Sequence, residues 1–474
     1  MSFKEYNQDQ MELLPRSIHD YLETGHLAKV IDQVVENVDI GCIEKRYSEQ
    51  GCSAYNPRML VKVFFYGYAT GERSCRKLAY RLHSDLAYMY LAGHQEPDFR
   101  TLNRFRKDHR DLWPGLFGQI VRLCWEIGMV HVGTIALDGT KVKANASYRQ
   151  TKTKEYLEKE MEKILRETER VDQEEDARYG EEVNPYETPK DLQDAEELMR
   201  RLQQAQEKLK SEGKKQINLT DTDAQTMRHS GQVPVPSYNG QIAVEESHGV
   251  IVAARMSTNS TDQGSIPELV EQVESHTGET PQRVLADSGF SSVHHLVYLE
   301  KKGVQGYIPD PMRESIQRGT KQNPAFHKSQ FVYDAKKDSY RCPAGNELHY
   351  FKTDVYNGTR RYRTEQCPEC VHQRECTQTI LRTLSRSAQE ELFDQRNQRL
   401  NSPEGKRIYQ QRQGMVEPVF GHLKHNLKYR DLLLRGKTNV TGEFLLMCIG
   451  YNLQKIARYL RKAVPSPRNS LQPA

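Results

Sequence analysis

The chain has 474 residues and a mass of 54.9 kDa, enough for two or more domains, and its hydrophobic content of 36% is enough for a sizeable core. The net charge is only +4, so evidence for a nucleic-acid partner has to come from local clusters of basic residues. No run of about 18 apolar residues occurs, and the first residues, MSFKEYNQDQ, lack the apolar segment of a signal peptide; we therefore expect an intracellular protein without membrane spans.

Residues 1–130 are predicted to form a helical N-terminal domain. Asn56 followed by Pro57 marks a helix start, and apolar residues at helical spacing predict two short helices joined through Gly71. A basic helix follows, and the arrangement is typical of a helix-turn-helix unit that binds DNA. The alternative is a helical bundle with a solvated basic face. The basic residues of this last helix are Arg100, Arg104, Arg106, Lys107 and Arg110.

The apolar spacing changes from helical to strand periodicity near residue 133. Three strands are predicted in TIALDGTKVKAN, SYNGQIAVEE and GVIVAARMST, and helices then alternate with strands up to residue 310. Paired strands followed by this alternation predict a mixed α/β sheet layered with helices. We expect the core to occupy residues 131–311 and 396–462, and the tail 463–474 to be disordered.

A segment dominated by charged residues, 152–215, interrupts this core. Five of its apolar residues repeat with 3-4-3-4 spacing, which predicts one helix of a protruding helical hairpin; an apolar set that begins at Leu157 supplies the partner helix. A disordered charged linker is the alternative. The residues with this spacing are Ala195, Leu198, Leu202, Ala205 and Leu209.

A second insert, residues 312–395, contains four of the nine cysteines in the pattern C-x24-C-x2-C-x5-C. This spacing is typical of a structural Zn²⁺ site with four thiolate ligands, and a segment with so few apolar residues needs such a link in order to fold. Four ordinary free thiols are the alternative. The odd number of cysteines argues against a disulfide framework in a reducing compartment. The proposed ligands are Cys342, Cys367, Cys370 and Cys376.

Two aspartates, Asp138 and Asp287, each follow an apolar run and precede a glycine, directly in ALDG and after a serine in ADSG. A carboxylate at the end of a buried strand is unfavourable unless a positive group holds it. Hard divalent cations such as Mg²⁺ prefer these oxygen ligands. The two residues are therefore candidate metal ligands, and the alternative for each is an ordinary aspartate in a turn after a strand.

A third candidate, Glu417, lies in a basic segment that is predicted to be helical. Gly421, Lys424 and Lys428 follow it at i+4, i+7 and i+11, so the four positions share one helical face. A metal at the carboxylate and a phosphodiester along the lysines would fit this face, and a solvated charged face is the alternative. Pro418 requires that the helix begin near Val416 or bend there.

Basic residues outnumber acidic ones around Glu417. Between residues 404 and 437 only Glu404, Glu417 and Asp431 are acidic, and such a basic stripe suits a polyanionic backbone better than a small substrate. The basic residues are Lys406, Arg407, Arg412, Lys424, Lys428, Arg430, Arg435 and Lys437.

Together these motifs resemble a DDE transposase of a bacterial insertion sequence, of the branch with a helical N-terminal domain and an RNase H-like catalytic core. The resemblance covers nearly the whole chain: DGTKVKANAS, YNGQIAVEE, LADSGF, the cysteine insert and VEPVFGHLK stand in the family's order. It implies that Asp138, Asp287 and Glu417 are catalytic and bind two Mg²⁺ or Mn²⁺ ions. The family's tyrosine, arginine and lysine correspond to Tyr409, Arg412 and Lys424, with Arg412 one residue further upstream than in the usual signature.

The resemblance also implies an activity. The protein would hydrolyse phosphodiester bonds at transposon ends and transfer the cut strands into target DNA, without a covalent protein–DNA intermediate. Its N-terminal domain would bind terminal inverted repeats, as a homodimer on double-stranded DNA in the bacterial cytoplasm and nucleoid. A catalytically inactive DNA-binding repressor and an RNase H-like nuclease without strand transfer are the alternatives. The expected DNA contacts are Tyr409, Arg412, Lys424, Lys428, Arg104, Arg106 and Lys107.

Overall fold

The computed structural model describes most of the chain and shows a mixed α/β protein, as predicted. Except for its first residue, the tail 463–474 lies outside the described residues, and so does Cys52. No helix in the described part of the chain is long and apolar enough to span a membrane. The described residues are 16–47, 53–179, 190–229, 231, 233–310, 324–354, 358–387 and 389–463.

The N-terminal segment is helical, as the apolar spacing predicts. The side chain of Asn56 accepts from the backbone N–H groups of Arg58 and Met59, and Gly71 ends the same helix with a left-handed φ of 84°. The helices are α1 (Ile18–Tyr21), α2 (Leu27–Glu36), α3 (Gly41–Glu44), α4 (Pro57–Thr70), α5 (Cys75–Ser84), α6 (Leu86–Ala92), α7 (Phe99–Asp108) and α8 (Trp113–Glu126).

The main sheet has six strands, with β1 at its centre. On one side β1 pairs antiparallel with β5, and β5 in turn pairs with β4 and β6; on the other side β1 pairs parallel with β7, which pairs parallel with β8. Helices α11 and α12 connect the strands of the second half. The elements are β1 (Thr134–Lys143), β4 (Gln225–Met227), β5 (Val235–Glu245), β6 (Ile251–Ser257), α11 (Ile266–Thr277), β7 (Arg283–Leu285), α12 (Val293–Lys301) and β8 (Gln305–Tyr307).

The charged segment after β1 forms two long helices, α9 (Lys154–Tyr179) and α10 (Lys190–Ser211), beside the short strands β2 (Thr151–Thr153) and β3 (Gln216–Asn218). The helices pack on each other through a small apolar cluster of their own. Leu198 is 42% exposed, and Met199 packs against the cluster instead. The buried members of the cluster are Leu157, Ile164, Leu202, Ala205, Leu209 and Ile217.

The cysteine segment contains a separate five-stranded antiparallel sheet in the order β13-β12-β11-β10-β9. Its core is small and consists of five buried residues, most of them aromatic. The core residues are Phe331, Tyr340, Leu348, Tyr362 and Leu384. The elements are β9 (Val332–Asp334), β10 (Ser339–Arg341), β11 (Glu347–Asp354), β12 (Thr359–Arg363), α13 (Gln373–Cys376) and β13 (Thr383–Arg386).

Three helices complete the chain: α14 (Glu390–Asn401), α15 (Pro403–Gly421) and α16 (Lys437–Ala463). Helix α15 begins well before Val416 and includes Pro418, so the first of the two alternatives, a helix that begins near Val416, is wrong. Proline lacks the N–H that would bond to the carbonyl of Gly414. Gly414 is exposed, so its carbonyl can bind water instead.

A π-helical turn, His422–Asn426, follows α15 directly and changes the facing of the residues after it. Lys428 lies beyond this turn with a φ of 61°, outside any helix. The predicted helical face, which required an uninterrupted α-helix from Glu417 to Lys428, is therefore broken. This corrects the expectation that Lys424 and Lys428 continue in line with Glu417.

The apolar core continues across the predicted domain boundary near residue 130. Residues from α4, α8, the main sheet and α16 belong to one buried cluster. A Cβ added at Gly450 of α16 would lie 2.6 Å from the backbone of Tyr68, which shows how closely α16 approaches α4. Arg73, which follows α4, reaches Glu443 of α16 at 3.1 Å and Asp431 at 2.9 Å. The N-terminal helices and the sheet thus share one core.

Candidate active site

Asp138 lies in the middle of β1, opposite Ile242 of β5, and five strand residues follow it. The expectation that Asp138 ends a strand or sits in a turn is therefore wrong. Its Oδ1 accepts from the backbone N–H of Gly139 at 2.9 Å. The carboxylate thus projects from the central strand of the sheet, and the main chain that carries it is fixed by neighbours on both sides.

Asp287 lies just after β7, as the sequence predicts, and caps a short 3₁₀ turn, Ser288–Phe290. Its Oδ1 accepts from the N–H of Gly289 at 2.9 Å. In the parallel pair of β1 and β7, Ala136 is opposite Leu285, and each aspartate stands two residues further on. The parallel pairing therefore brings the two carboxylates to the same level of the sheet, although 149 positions separate them in the sequence (287 − 138).

The guanidinium of Arg412, from α15, lies between the two aspartates. Its Nη2 donates to Asp138 Oδ1 at 2.9 Å and lies 3.8 Å from Asp287 Oδ2. Its Nε also donates to the carbonyl of Leu137 at 3.4 Å. Oxygens from both carboxylates therefore lie within 4 Å of a single cationic nitrogen. The two carboxylates thus converge on one cationic group.

The environment makes the ionised form of Asp138 less favourable. Burial raises the pKa of Asp138 to about 6; the charge of Arg412 opposes this rise, and the charge of Asp287 adds to it. The side chain is only 20% exposed, so water screens these charges weakly. A further positive charge in the site would therefore favour the ionised form of Asp138.

Lys424 reaches the same strand from the π-helical turn. Its Nζ donates to the hydroxyl of Thr140, two residues after Asp138. Burial lowers the pKa of Lys424, and the negative charge of Asp138 opposes this effect. Tyr409 is partly buried and packs against the main core. The structure thus places Lys424 and Arg412 beside Asp138, and Tyr409 on the same helix as Arg412.

Glu417 lies exposed on α15, five residues after Arg412. Among the residues that the structure describes, no group of three or more His, Cys, Asp or Glu side chains is arranged to hold a metal ion. Asp138 and Asp287 are therefore brought together, whereas Glu417 does not form a three-carboxylate group with them in this structure. Helix α15, which carries Glu417 and Arg412, packs on β1.

A further acidic residue, Asp262, lies beside the aspartate pair and was not predicted. It follows β6, and its Oδ1 accepts from the side-chain amides of Asn239 at 2.9 Å and Gln241 at 2.5 Å. The signal in the sequence is the pair of amides in YNGQIAVEE, two polar residues inside an otherwise apolar strand. Buried amides need polar partners, so this pattern indicates a polar group above the strand.

The basic residues of the N-terminal segment divide into two sets. Arg104 and Lys107 are exposed on α7 and line a surface cavity together with Arg76 and Arg100. Arg106 is only 5% exposed. Its guanidinium donates to the carbonyl of Arg73 at 3.0 Å and to the side chains of Tyr68 and Asn103. The expectation that Arg106 contacts DNA is corrected, because its charged group is used inside the protein.

The four cysteines of the second insert line one cavity at the end of the small sheet. Two sulfur atoms accept backbone N–H groups: Cys342 Sγ from Asn346 at 3.2 Å and Cys367 Sγ from Arg382 at 3.4 Å. Burial raises the pKa of Cys376; Arg382 opposes this rise, and the other three cysteines add to it. The four thiols thus interact electrostatically, although they do not form a group in metal-binding geometry within the described residues.

Two segments of the chain match models of protein families. Residues 16–108 match a family described as Transposase domain (DUF772), and residues 341–457 match one described as Transposase DDE domain. The first match covers helices α1 to α7, and the second runs from the cysteine segment through Glu417 into α16. Asp138 and Asp287 lie outside both. No curated protein and no solved structure matches the chain. The two matches support the predicted family, the DDE transposases of insertion sequences.

Proposed function

We propose that the protein cuts DNA at the ends of its own element and joins the cut strands to target DNA, with divalent cations held by Asp138, Asp287 and Glu417. The observation that carries this proposal is the position of Arg412 Nη2, within 4 Å of oxygens from both aspartates. Two carboxylates that already share one cation fit the demands of Mg²⁺, which prefers oxygen ligands.

Each residue of the site has a separate task in this proposal. Bound Mg²⁺ ions would activate the attacking oxygen and stabilise the leaving oxygen of an in-line displacement. Asp138 and Asp287 provide the ligand oxygens, and Asp138 must be ionised to do so. Arg412 then neutralises negative charge at the scissile phosphate, and Lys424, held at Thr140, lies where it contacts the adjoining DNA backbone.

Glu417 completes the ligand set in this proposal after DNA and metal have bound. It stands about 7.5 Å further along the axis of α15 than Arg412, given a rise of about 1.5 Å per residue. Its side chain is exposed, so in this proposal a change in the helix or its side chain brings the carboxylate to the metal. The π-helical turn directly after α15 is a local irregularity of the kind often found at functional sites, where a helix can adjust.

The strand arrangement supports an RNase H-like core. The central strand β1 carries the first aspartate, pairs antiparallel with β5 and parallel with β7, and has the second aspartate at the end of that parallel neighbour. The order of strands is therefore β6-β5-β1-β7-β8, with β4 beside the start of β5.

The DNA surface in this proposal has two parts. Arg104, Lys107, Arg76 and Arg100 form a basic patch on the N-terminal helices, which suits the phosphates of a terminal inverted repeat. Lys428 is exposed after the π-helical turn that carries Lys424, and in this proposal it extends the basic surface. A homodimer on DNA would hold two transposon ends at once.

We propose in addition that the four cysteines bind a structural Zn²⁺ ion. All four line the same cavity, and backbone N–H groups already donate to two of the sulfurs, hydrogen bonds of the kind that orient metal ligands. The five-residue core of this sheet is too small to stabilise it alone, so a metal link would supply much of its folding free energy.

The central test combines three substitutions with one matched control. Asp138→Asn, Asp287→Asn and Glu417→Gln should each lower Mg²⁺-dependent cleavage of end-bearing DNA by about 10³-fold or more while DNA binding stays nearly unchanged, because only the metal ligands are lost. Glu404→Gln removes the same charge from the first turn of the same helix as Glu417 and should cleave like the wild type. Near wild-type cleavage by any of the three variants would contradict the assignment of that residue.

The same assay separates the two alternative functions. Wild-type protein that binds end-bearing DNA with Mg²⁺ but leaves it uncut would identify a repressor. Protein that cuts the ends but does not join a pre-cleaved end to target DNA would identify a nuclease without strand transfer. Both reactions together support the transposase proposal.

A further inference from the structure

The carboxylate of Asp262 lies against two glycines, each beside one of the catalytic aspartates. A Cβ added at Gly139 would lie 2.4 Å from Asp262 Oδ1, and one added at Gly289 would lie 3.3 Å from Asp262 Oδ2. Real Cβ atoms do not approach an oxygen at the first of these distances. Gly139 directly follows Asp138, and Gly289 belongs to the turn that Asp287 caps. The missing side chains therefore make room for a third carboxylate between the two aspartates.

Asp262 is held in this place through one oxygen and its backbone. Asn239 and Gln241 both donate to Oδ1, and the hydroxyl of Ser265 donates to the Asp262 carbonyl at 2.6 Å. The three donors are buried: Asn239 is 2% exposed, Gln241 1% and Ser265 0%. A loop carboxylate fixed by two amides of a central strand has a defined position rather than a solvated one.

The other oxygen, Oδ2, accepts no hydrogen bond from any residue in the described part of the chain. It lies 3.2 Å from a Cβ added at Gly139 and 3.3 Å from one added at Gly289, and so adjoins the glycines beside both aspartates. Burial is the largest cause of the raised pKa of Asp138, and the charges of Asp287 and Asp262 raise it further, so Asp262 is within electrostatic reach of the pair. Three negative charges thus converge, with Arg412 as the cation between two of them.

We propose that Asp262 is a fourth acidic member of the metal centre, which adds its charge and the free Oδ2 to the site of a hard divalent cation. This inference rests on the proposed function, because it assigns a role at the same site. Asn239 and Gln241 act as positioning residues: they occupy Oδ1 and leave Oδ2 for the cation or for a water molecule bound to it.

The test measures Mn²⁺ binding to the full chain without DNA, by electron paramagnetic resonance, so that it does not depend on catalysis. Asp262→Asn keeps an oxygen for the two amides and removes the charge. It should weaken Mn²⁺ binding about 10- to 100-fold, the loss expected for a group that supports metal ligands. Glu268→Gln, on the exposed side of α11, removes an equal charge nearby and should bind Mn²⁺ like the wild type. Unchanged Mn²⁺ affinity in Asp262→Asn would overturn the inference.

Two further variants complete the test. Asn239→Ala keeps every carboxylate and removes one donor to Oδ1, so it should weaken Mn²⁺ binding to a smaller extent. Wild-type Mn²⁺ affinity in this variant would contradict the positioning role of Asn239. If Asp262→Asn does not fold, the Mn²⁺ affinity of Asn239→Ala decides whether Asp262 belongs to the metal centre. Asp138→Asn separates this inference from the proposed function. If Asp138→Asn loses Mn²⁺ binding and Asp262→Asn does not, only the role of Asp262 fails. If wild-type protein binds no Mn²⁺, the proposed metal centre itself fails.

Discussion

The two candidate metal centres of this chain are built in opposite ways. Asp138 stands on the central strand of the main sheet and Asp287 directly after its parallel neighbour, and both strands belong to the largest apolar core of the described residues. The four cysteines stand in turns and a short helix around a separate sheet, whose core has five buried residues. The first candidate centre is held by the fold around it, whereas the fold around the second is small and, in our proposal, depends on its metal.

The charges around the two candidate centres also differ: cationic side chains lie beside the aspartates, whereas the cysteines lie close to one another. Arg412 and Lys424 lie beside the aspartates and offset their negative charge before any metal binds. Among the cysteines, burial raises the pKa of Cys376, so without a metal this thiol stays protonated at neutral pH. In our proposal, a catalytic metal can therefore bind to the aspartates and dissociate without loss of structure. A structural metal at the cysteines would be part of folding itself.

The largest effect is expected from removal of zinc. Chelation, or the double substitution Cys367→Ser with Cys370→Ser, should unfold the five-stranded sheet locally, because structural zinc sites contribute about 10–16 kcal/mol of apparent binding free energy. Hydrogen exchange should rise between residues 331 and 386 and stay unchanged in β1 and β5. Cys42→Ser, at an exposed cysteine outside the segment, is the control. Protection of the small sheet that persists after chelation would show that it folds without metal.

The second effect concerns Arg412. Arg412→Gln should lower cleavage about 10²- to 10³-fold, since a preorganised cation at the transition state is lost. Its Mn²⁺ affinity should not fall, because the substitution removes a cation that competes for the two aspartates. Arg407→Gln, an exposed position on the same helix, should change neither quantity. A parallel loss of Mn²⁺ affinity in Arg412→Gln would mean that the arginine supports the metal rather than the phosphate.

The smallest effect is a pH dependence of stability caused by Asp138. Its pKa is about 6 in the folded protein, above its ordinary value of 3.8. The folded state therefore holds more protons between about pH 4 and pH 6, and the free energy of unfolding falls as pH rises through this window. Asp138→Asn removes this loss and should stabilise metal-free protein by about 1–3 kcal/mol at pH 8, at ~1.4 kcal/mol per pKa unit.

Urea denaturation of both proteins in EDTA, at about pH 8 and pH 4, measures this difference. The advantage of Asp138→Asn should largely disappear at the lower pH, where the wild-type carboxyl is protonated in the folded state and about half protonated in the unfolded state. An equal difference at both pH values would show that the effect comes from packing and not from the buried charge.

Much of the fold follows from local periodicity, but the site depends on contacts that periodicity does not contain. The strands around Asp138, Asp287 and YNGQIAVEE were predicted because alternation and apolar runs are local signals. The position of Asp262 was missed because it depends on a loop that folds back over Asn239 and Gln241. The glycines after both aspartates were the available sign, since a glycine in a strand often marks close approach of another group.

Two other differences between the predicted and the observed structure concern Arg106 and the segment from Glu417 to Lys428. Arg106 is four positions after Leu102 and falls on the buried face of α7, so helical spacing alone places it inside. The π-helical turn after α15 has no comparable signal, because the segment reads as a regular amphipathic helix. One extra residue in that turn was enough to break the predicted line from Glu417 to Lys428.

The shared core of α4 and α16 has a mechanical consequence for the reaction that we propose. The hydroxyl of Tyr429 donates to the main-chain carbonyl of Tyr68, and Arg73 forms an ion pair with Glu443, so these contacts tie α4 to the C-terminal part of the described chain. A DNA end bound by the basic N-terminal helices would meet the aspartates at a constant offset. The number of base pairs between the bound sequence and the cleavage site would then be constant, because the protein fixes the distance between them.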